Sequence, residues 1–98
     1  MGLDLEINCS DAVLEKLRDK HHVSLLEVKQ CFMNIDGGFL EDAREEHKTT
    51  PATEWFIAET HKVRKLKVCF VQAGKVIDIK TAYEPDAEEI RIYDAKAY

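Results

Sequence analysis

The sequence predicts a single α+β domain over residues 1–98, with an N-terminal strand and helical hairpin followed by an antiparallel sheet and a C-terminal helix. Three observations carry that expectation. Leu25, Val28, Cys31, Phe32 and Ile35 recur at helical spacing. Residues 64–72 alternate with period two instead, placing Leu66, Val68 and Phe70 on one face and Lys65 and Lys67 on the other, as in a half-exposed strand. A chain of 98 residues that is 45% hydrophobic supplies one modest core and no second.

The elements follow in order. Leu3, Leu5 and Ile7 alternate with Asp4, Glu6 and Asn8, which predicts a strand. Ser10 offers an N-cap hydroxyl, and Val13, Leu14 and Leu17 form an apolar stripe that ends near Lys20. After His21 and His22, Ser24 and Glu27 have the spacing of a capping box and open the second helix. Asp36-Gly37-Gly38 stops that helix, because paired glycines favour a turn and allow positive φ. Extended segments follow at 39–43 and 55–60, separated by a long polar loop over 44–53. Ala73-Gly74 then makes a tight connection, with Gly74 at positive φ, into residues 76–82, where Ile77 and Ile79 point inward. Glu84-Pro85-Asp86 starts the last helix, with Pro85 in its first turn and Ala87, Ile90 and Tyr93 on one stripe.

Composition narrows the function classes. No stretch approaches the roughly 20 apolar residues of a membrane helix, and the opening residues lack the pattern of a signal peptide, so a cytoplasmic location with no membrane partner is expected. Three cysteines, Cys9, Cys31 and Cys69, are odd in number and widely spaced, which predicts reduced, buried thiols and no zinc knuckle. A net charge of -5 repels nucleic acid on average, so RNA would need a local basic patch. The run from Asp42 to His47 could be read as a carboxylate and imidazole metal site, but it lacks the helical His-Glu-x-x-His spacing, so no metal is expected, and no cofactor either.

Between His61 and Lys75 the chain carries Lys62, Arg64, Lys65, Lys67 and Lys75 without an acid, a phosphate-binding strand face by charge. The same lysines more commonly keep an exposed sheet edge soluble. In the run from Asp42 to His47, Arg44 supplies a cation and His47 an imidazole that titrates near neutrality, the chemistry of a general acid or base; a solvated charged turn fits the run as well. Lys80, Tyr83 and Arg91 gather near the last strand and helix, where Lys80 also suits an ion pair with Asp78. His21 and His22 read as a helix C-terminal cap, and Trp55, Phe56 and Phe70 as core.

The run Lys20-His21-His22-Val23-Ser24-Leu25-Leu26-Glu27-Val28 leading to Phe32 resembles the Lys-His-Gly-Val-Ser/Thr-Phe-x-Glu-Ala motif of the BrnT family, toxins of bacterial type II toxin–antitoxin pairs with a RelE-like fold. Phe56-Ile57-Ala58, Leu66-Lys67-Val68, the strand from Ile77 to Tyr83 and Glu89 to Tyr93 are similar to later family segments. The resemblance implies a RelE-like domain, an antitoxin partner and metal-independent RNA cleavage, in which cations stabilise the charge that develops as the RNA 2′-hydroxyl attacks its own phosphate. Carried to this chain, Arg44, Arg64, Lys65, Lys67 and Arg91 would hold phosphate while His47, Tyr83 and Lys80 act in catalysis. The chain departs from the family where Asp78, Tyr83 and Ile90 stand in place of arginines, and it lacks the family's early Trp-Asp. Two function classes therefore follow: a divergent RNA-binding or RNA-cleaving toxin, or a non-catalytic protein-interaction module of the same fold, binding a partner or a second copy as a homodimer.

Overall fold

The structure, a computed structural model, describes residues 6–42 and 52–98. Strand β1 (Glu6–Asn8) is followed by helix α1 (Asp11–Lys16), whose N-cap Ser10 accepts the Val13 amide at 3.2 Å. The helix does not stop near Lys20 in α-helical form; Leu17–His21 widen into a π-helical turn that ends on His22. Helix α2 (Leu25–Met33) starts on the predicted Ser24–Glu27 capping box, with both reciprocal bonds formed. Strands β2 (Leu40–Glu41), β3 (Thr53–Glu59), β4 (Lys65–Ala73) and β5 (Val76–Tyr83) follow, then helix α3 (Ala87–Lys96). Asp86, not the preceding residues, caps α3, so Pro85 lies just outside the first turn where it was expected.

The five strands form one sheet in the order β1-β5-β4-β3-β2. Its central pairings are antiparallel as expected, but β1 joins β5 in parallel, with Ile7 opposite Ile77, so the sheet is mixed. Within the predicted strand over 39–43, the described residues form β2, which pairs Leu40 with Trp55 and Glu41 with Glu54.

The larger correction concerns β4. Period-two reasoning leaves one of its faces in water, yet both faces are covered. Leu66, Val68 and Phe70 pack under α2 with Leu17, Val28, Cys31, Phe32 and Phe56, all nearly or fully buried. Phe32 sits edge-on at 4.7 Å from Phe56 and 5.5 Å from Phe70, a geometry that adds to simple area burial. Trp55, Ile57 and Lys67 face the other way, under α3, where the Trp55 and Tyr93 rings lie 5.7 Å apart. Lys67 is consequently 8% exposed rather than lying on a solvated strand face.

Close approach explains Gly37 better than φ does. A Cβ there would lie 2.8 Å from the Tyr93 hydroxyl, which donates to the Gly38 carbonyl at 2.7 Å while the Gly38 amide donates to Ala97. Among the described glycines only Gly74 takes positive φ, at the β4–β5 turn where it was expected. Burial pushes the Tyr93 phenol up to about 12. Cys31 is buried as expected, whereas Cys9 and Cys69 are only partly so.

Among the described residues, two with side chains occupy the left-handed region. His22, at φ 54, closes the π-helical turn, and Val63, at φ 65, closes the β3–β4 turn. A β-branched side chain at positive φ is costlier than an imidazole, because its two γ-carbons crowd the backbone. Val63→Gly is therefore expected to stabilise the domain by about 1 kcal/mol, and His22→Gly by somewhat less, in urea unfolding followed through the single tryptophan. Loss of stability in both variants would show that these side chains make contacts outweighing their backbone strain.

Candidate functional site

The site is set up by an irregularity in β5. Cys69 pairs with Thr81 and Phe70 with Ile79, so Lys80 is an extra residue in the ladder, a bulge. Beyond it the alternation reverses: Ala82 goes into the α2-side core and Tyr83 is placed toward α3. Without the bulge, strict alternation from Ile77 and Ile79 would put Tyr83 on the α2 side.

Under α3, three polar side chains converge. Glu89 stands at the third position of the helix, fixed by its capping box: Oε1 accepts the Asp86 amide at 3.1 Å. Its Oε2 accepts from Lys67 Nζ at 2.8 Å and from the Tyr83 hydroxyl at 2.9 Å. The Lys67 ammonium also lies 4.4 Å from the centre of the Trp55 ring, within cation–π range. The His21 ring lies 5.6 Å from that of Tyr83. A cleft of about 450 Å³ opens beside the cluster, and its described lining includes Leu40, Trp55, Lys67, Glu89 and Ile92.

Electrostatics hold each group in its ordinary form. Burial alone would lower the Lys67 pKa, but the hydrogen bond to Glu89 and neighbouring charge outweigh it and raise the value. Burial pushes Glu89 up, yet the bonds from Lys67, the Asp86 amide and Tyr83 bring it below the usual carboxylate range. The Tyr83 phenol is raised, first by burial and then by its bond to Glu89. All three therefore move away from neutrality. The lysine is thereby favoured in its charged form, the glutamate as carboxylate and the phenol as neutral hydroxyl, the forms that their mutual hydrogen bonds use. His21 differs, since burial and the nearby Lys16 and Lys20 lower its pKa and favour the neutral imidazole.

Arg64 builds a second junction. Its guanidinium donates to the His21 and His22 carbonyls at 3.1 and 2.8 Å, to both Glu27 oxygens, and to Glu84 at 2.8 Å. The end of the π-helical turn, the start of α2, β4 and the approach to α3 are thereby tied to one side chain. The carbonyls left open by the left-handed cap are satisfied in the same step.

Comparison with protein-family models and with curated protein sequences gives no match.

The structure separates the residues that sequence reasoning grouped. Lys67 and Tyr83 meet on Glu89; Arg64 is occupied by carbonyls and carboxylates elsewhere; Arg91 pairs with Glu88 on the exposed side of α3. Lys65 is exposed beside Glu59, and Lys80 is the exposed bulge residue. Lys67 is thus no part of an open basic strand face with Lys65, because α3 covers it. Arg44 and His47 lie outside the described residues. Glu89 and Trp55 were missed. The Asp86-x-x-Glu89 spacing would have placed Glu89 at a helix start, but nothing in the sequence shows that its second oxygen reaches a lysine 22 residues away.

Lys67→Met keeps the aliphatic stem and leaves Glu89 bonded to Tyr83 and the Asp86 amide, so it should cost about 1 kcal/mol or less. Glu89→Ala strands a nearly buried ammonium and removes half the capping box, with an expected cost of about 2–3 kcal/mol. Because Glu89 is held below its ordinary range, its stabilisation is complete above that range and disappears as pH falls through the lowered value. The stability gap between the native chain and Glu89→Ala should therefore narrow on acidification. Urea titrations across that range check both the order of the two variants and the narrowing.

Proposed function

We propose that this chain is a BrnT-like protein of the toxin–antitoxin type that acts as a non-catalytic protein-interaction module. One observation carries the reading: among the described residues, three of the four cations assigned to RNA phosphate are engaged by carboxylates, Arg64 by Glu27 and Glu84, Lys67 by Glu89 and Arg91 by Glu88, while Lys65 is exposed. A phosphate would have to displace those partners, and at Lys67 it would bring its own negative charge against the Glu89 carboxylate.

Local geometry supports the resemblance itself. His22 occupies the position of the motif's glycine and takes the left-handed φ at which glycine is the favoured residue. Ser24 and Glu27, also motif positions, form the capping box, and Glu27 holds Arg64. The motif thus reads as the seam between two helices.

A ribonuclease reading keeps one specific support. Tyr83 and Lys67 meet on a shared carboxylate beside a cleft, with the His21 ring next to Tyr83. Expression of the chain alone separates the two readings. The expected result is intact cellular RNA and normal growth, together with a protein partner recovered from the chain's own cell extract. RNA cleavage that Tyr83→Phe abolishes would replace the interaction reading with the enzymatic one. A free monomer by light scattering that recovers no partner would count against the interaction module. Among the described residues no helix is long and apolar enough to cross a membrane.

A further inference from the structure

Three large apolar residues stand out in water on one side of the molecule: Leu26 at 63% exposure, Met33 at 62% and Val63 at 69%. Leu26 and Met33 are seven positions apart on α2, which puts them on one stripe about 10 Å apart. Gln30 lies between them on that stripe, and its Oε1 accepts the His61 amide at 3.0 Å. Asn34, one residue past Met33, holds His61 Nδ1 at 3.1 Å and the Glu59 carbonyl at 2.9 Å. The β3–β4 turn, which carries the exposed Val63 two residues after His61, is therefore fastened alongside the α2 stripe. Val63 presents its side chain from a left-handed backbone that glycine or asparagine would occupy with less strain.

The rim of this surface is cationic, on a chain whose net charge is -5. Lys29 on α2 and Lys62 on the turn are exposed, and neither makes an ion pair among the described residues. Two acids on the same elements are turned elsewhere. Glu27 is committed to Arg64, and Glu59 shares the sheet face of Ile57 and Lys67, turned away from α2.

We infer that this surface docks an acidic amphipathic helix of a different protein, its apolar stripe on Leu26, Met33 and Val63 and its carboxylates on Lys29 and Lys62. The inference rests on the interaction-module reading and gives it a location and a partner chemistry. Two apolar residues spaced by two helical turns match the i, i+3, i+4, i+7 anchors of a helix lying alongside. A second copy fits badly: a two-fold contact would bring like-charged rims together. The chain's own acidic helix α3 also exposes no large apolar side chain to fill the surface.

The test uses the isotope-labelled full chain and two synthetic helical peptides with the same leucine pattern, one rich in glutamate and one rich in lysine. The glutamate-rich peptide is expected to shift the amide signals of Leu26, Lys29, Met33 and Val63, and the lysine-rich one to bind at least about tenfold more weakly. The K29E/K62E double variant should reverse that preference, and L26S/M33S should weaken binding about tenfold, with signals elsewhere unchanged. Equal binding of both peptides, no binding, shifts centred on the cleft beside Trp55, or concentration-dependent shifts without peptide would each overturn the assignment of this surface. So would an RNA oligonucleotide that perturbs these residues in place of the glutamate-rich peptide. If a protein partner is recovered from cell extract but K29E/K62E still binds it unchanged, this surface is wrong while the interaction reading stands. Cleavage of RNA by the chain overturns that reading on its own evidence.

Discussion

The Glu89 carboxylate is the point on which the second side of this domain depends. One oxygen caps the start of α3 through the Asp86 amide, and the other gathers the Lys67 ammonium and the Tyr83 hydroxyl from two neighbouring strands. A lysine in the middle of a central strand would ordinarily keep that face of the sheet wet, because burying an unpaired ammonium is costly. With Glu89 as acceptor and Trp55 beneath it, the same lysine becomes the floor on which α3 rests. The far end of the helix is fixed by a different device: Tyr93 donates to the Gly38 carbonyl, and the missing side chain of Gly37 makes room for its hydroxyl. The two anchors differ in kind, one ionic and one a neutral hydrogen bond, so acid weakens only the first.

On the opposite face the order of effects is reversed. Phe32, Phe39, Phe56 and Phe70 stack edge to face between α2 and the sheet, and apolar burial supplies most of the cohesion. Polar chemistry enters at the margin, where Arg64 joins the left-handed end of the first helical segment to the capping box of the second. That arginine illustrates how charge content misleads. In a run of five cations without an acid it reads as part of a phosphate-binding strip, yet its donors are directed at carbonyls and carboxylates from segments some 20 to 43 residues away.

Some residues were legible because their neighbours in sequence are their neighbours in space. The Ser24–Glu27 capping box, the α2 stripe, the Gly74 turn and the inward Ile77 and Ile79 all follow from spacing within a few residues. Others were not, because pairing across the chain decides them. The bulge at Lys80 has no local signal, but it alone turns Tyr83 toward α3 and breaks the alternation that would carry Thr81 inward. The covered second face of β4 was hidden for a related reason: Lys67 looks exposed until Glu89 is known to lie above it.

What the sequence determined by itself is the set of elements and the face each helix buries, since helical and extended periods are local properties of the hydrophobic pattern. The use to which the charges are put was decided only by the tertiary structure. A cation's role depends on which acceptors stand within about 3 Å of it, and for Arg64 and Lys67 those acceptors come from distant parts of the chain, while Lys29 and Lys62 have none among the described residues. The same residue types thus became an internal clamp, a buried strut and an open cationic rim, because distance and desolvation distinguish them where composition cannot.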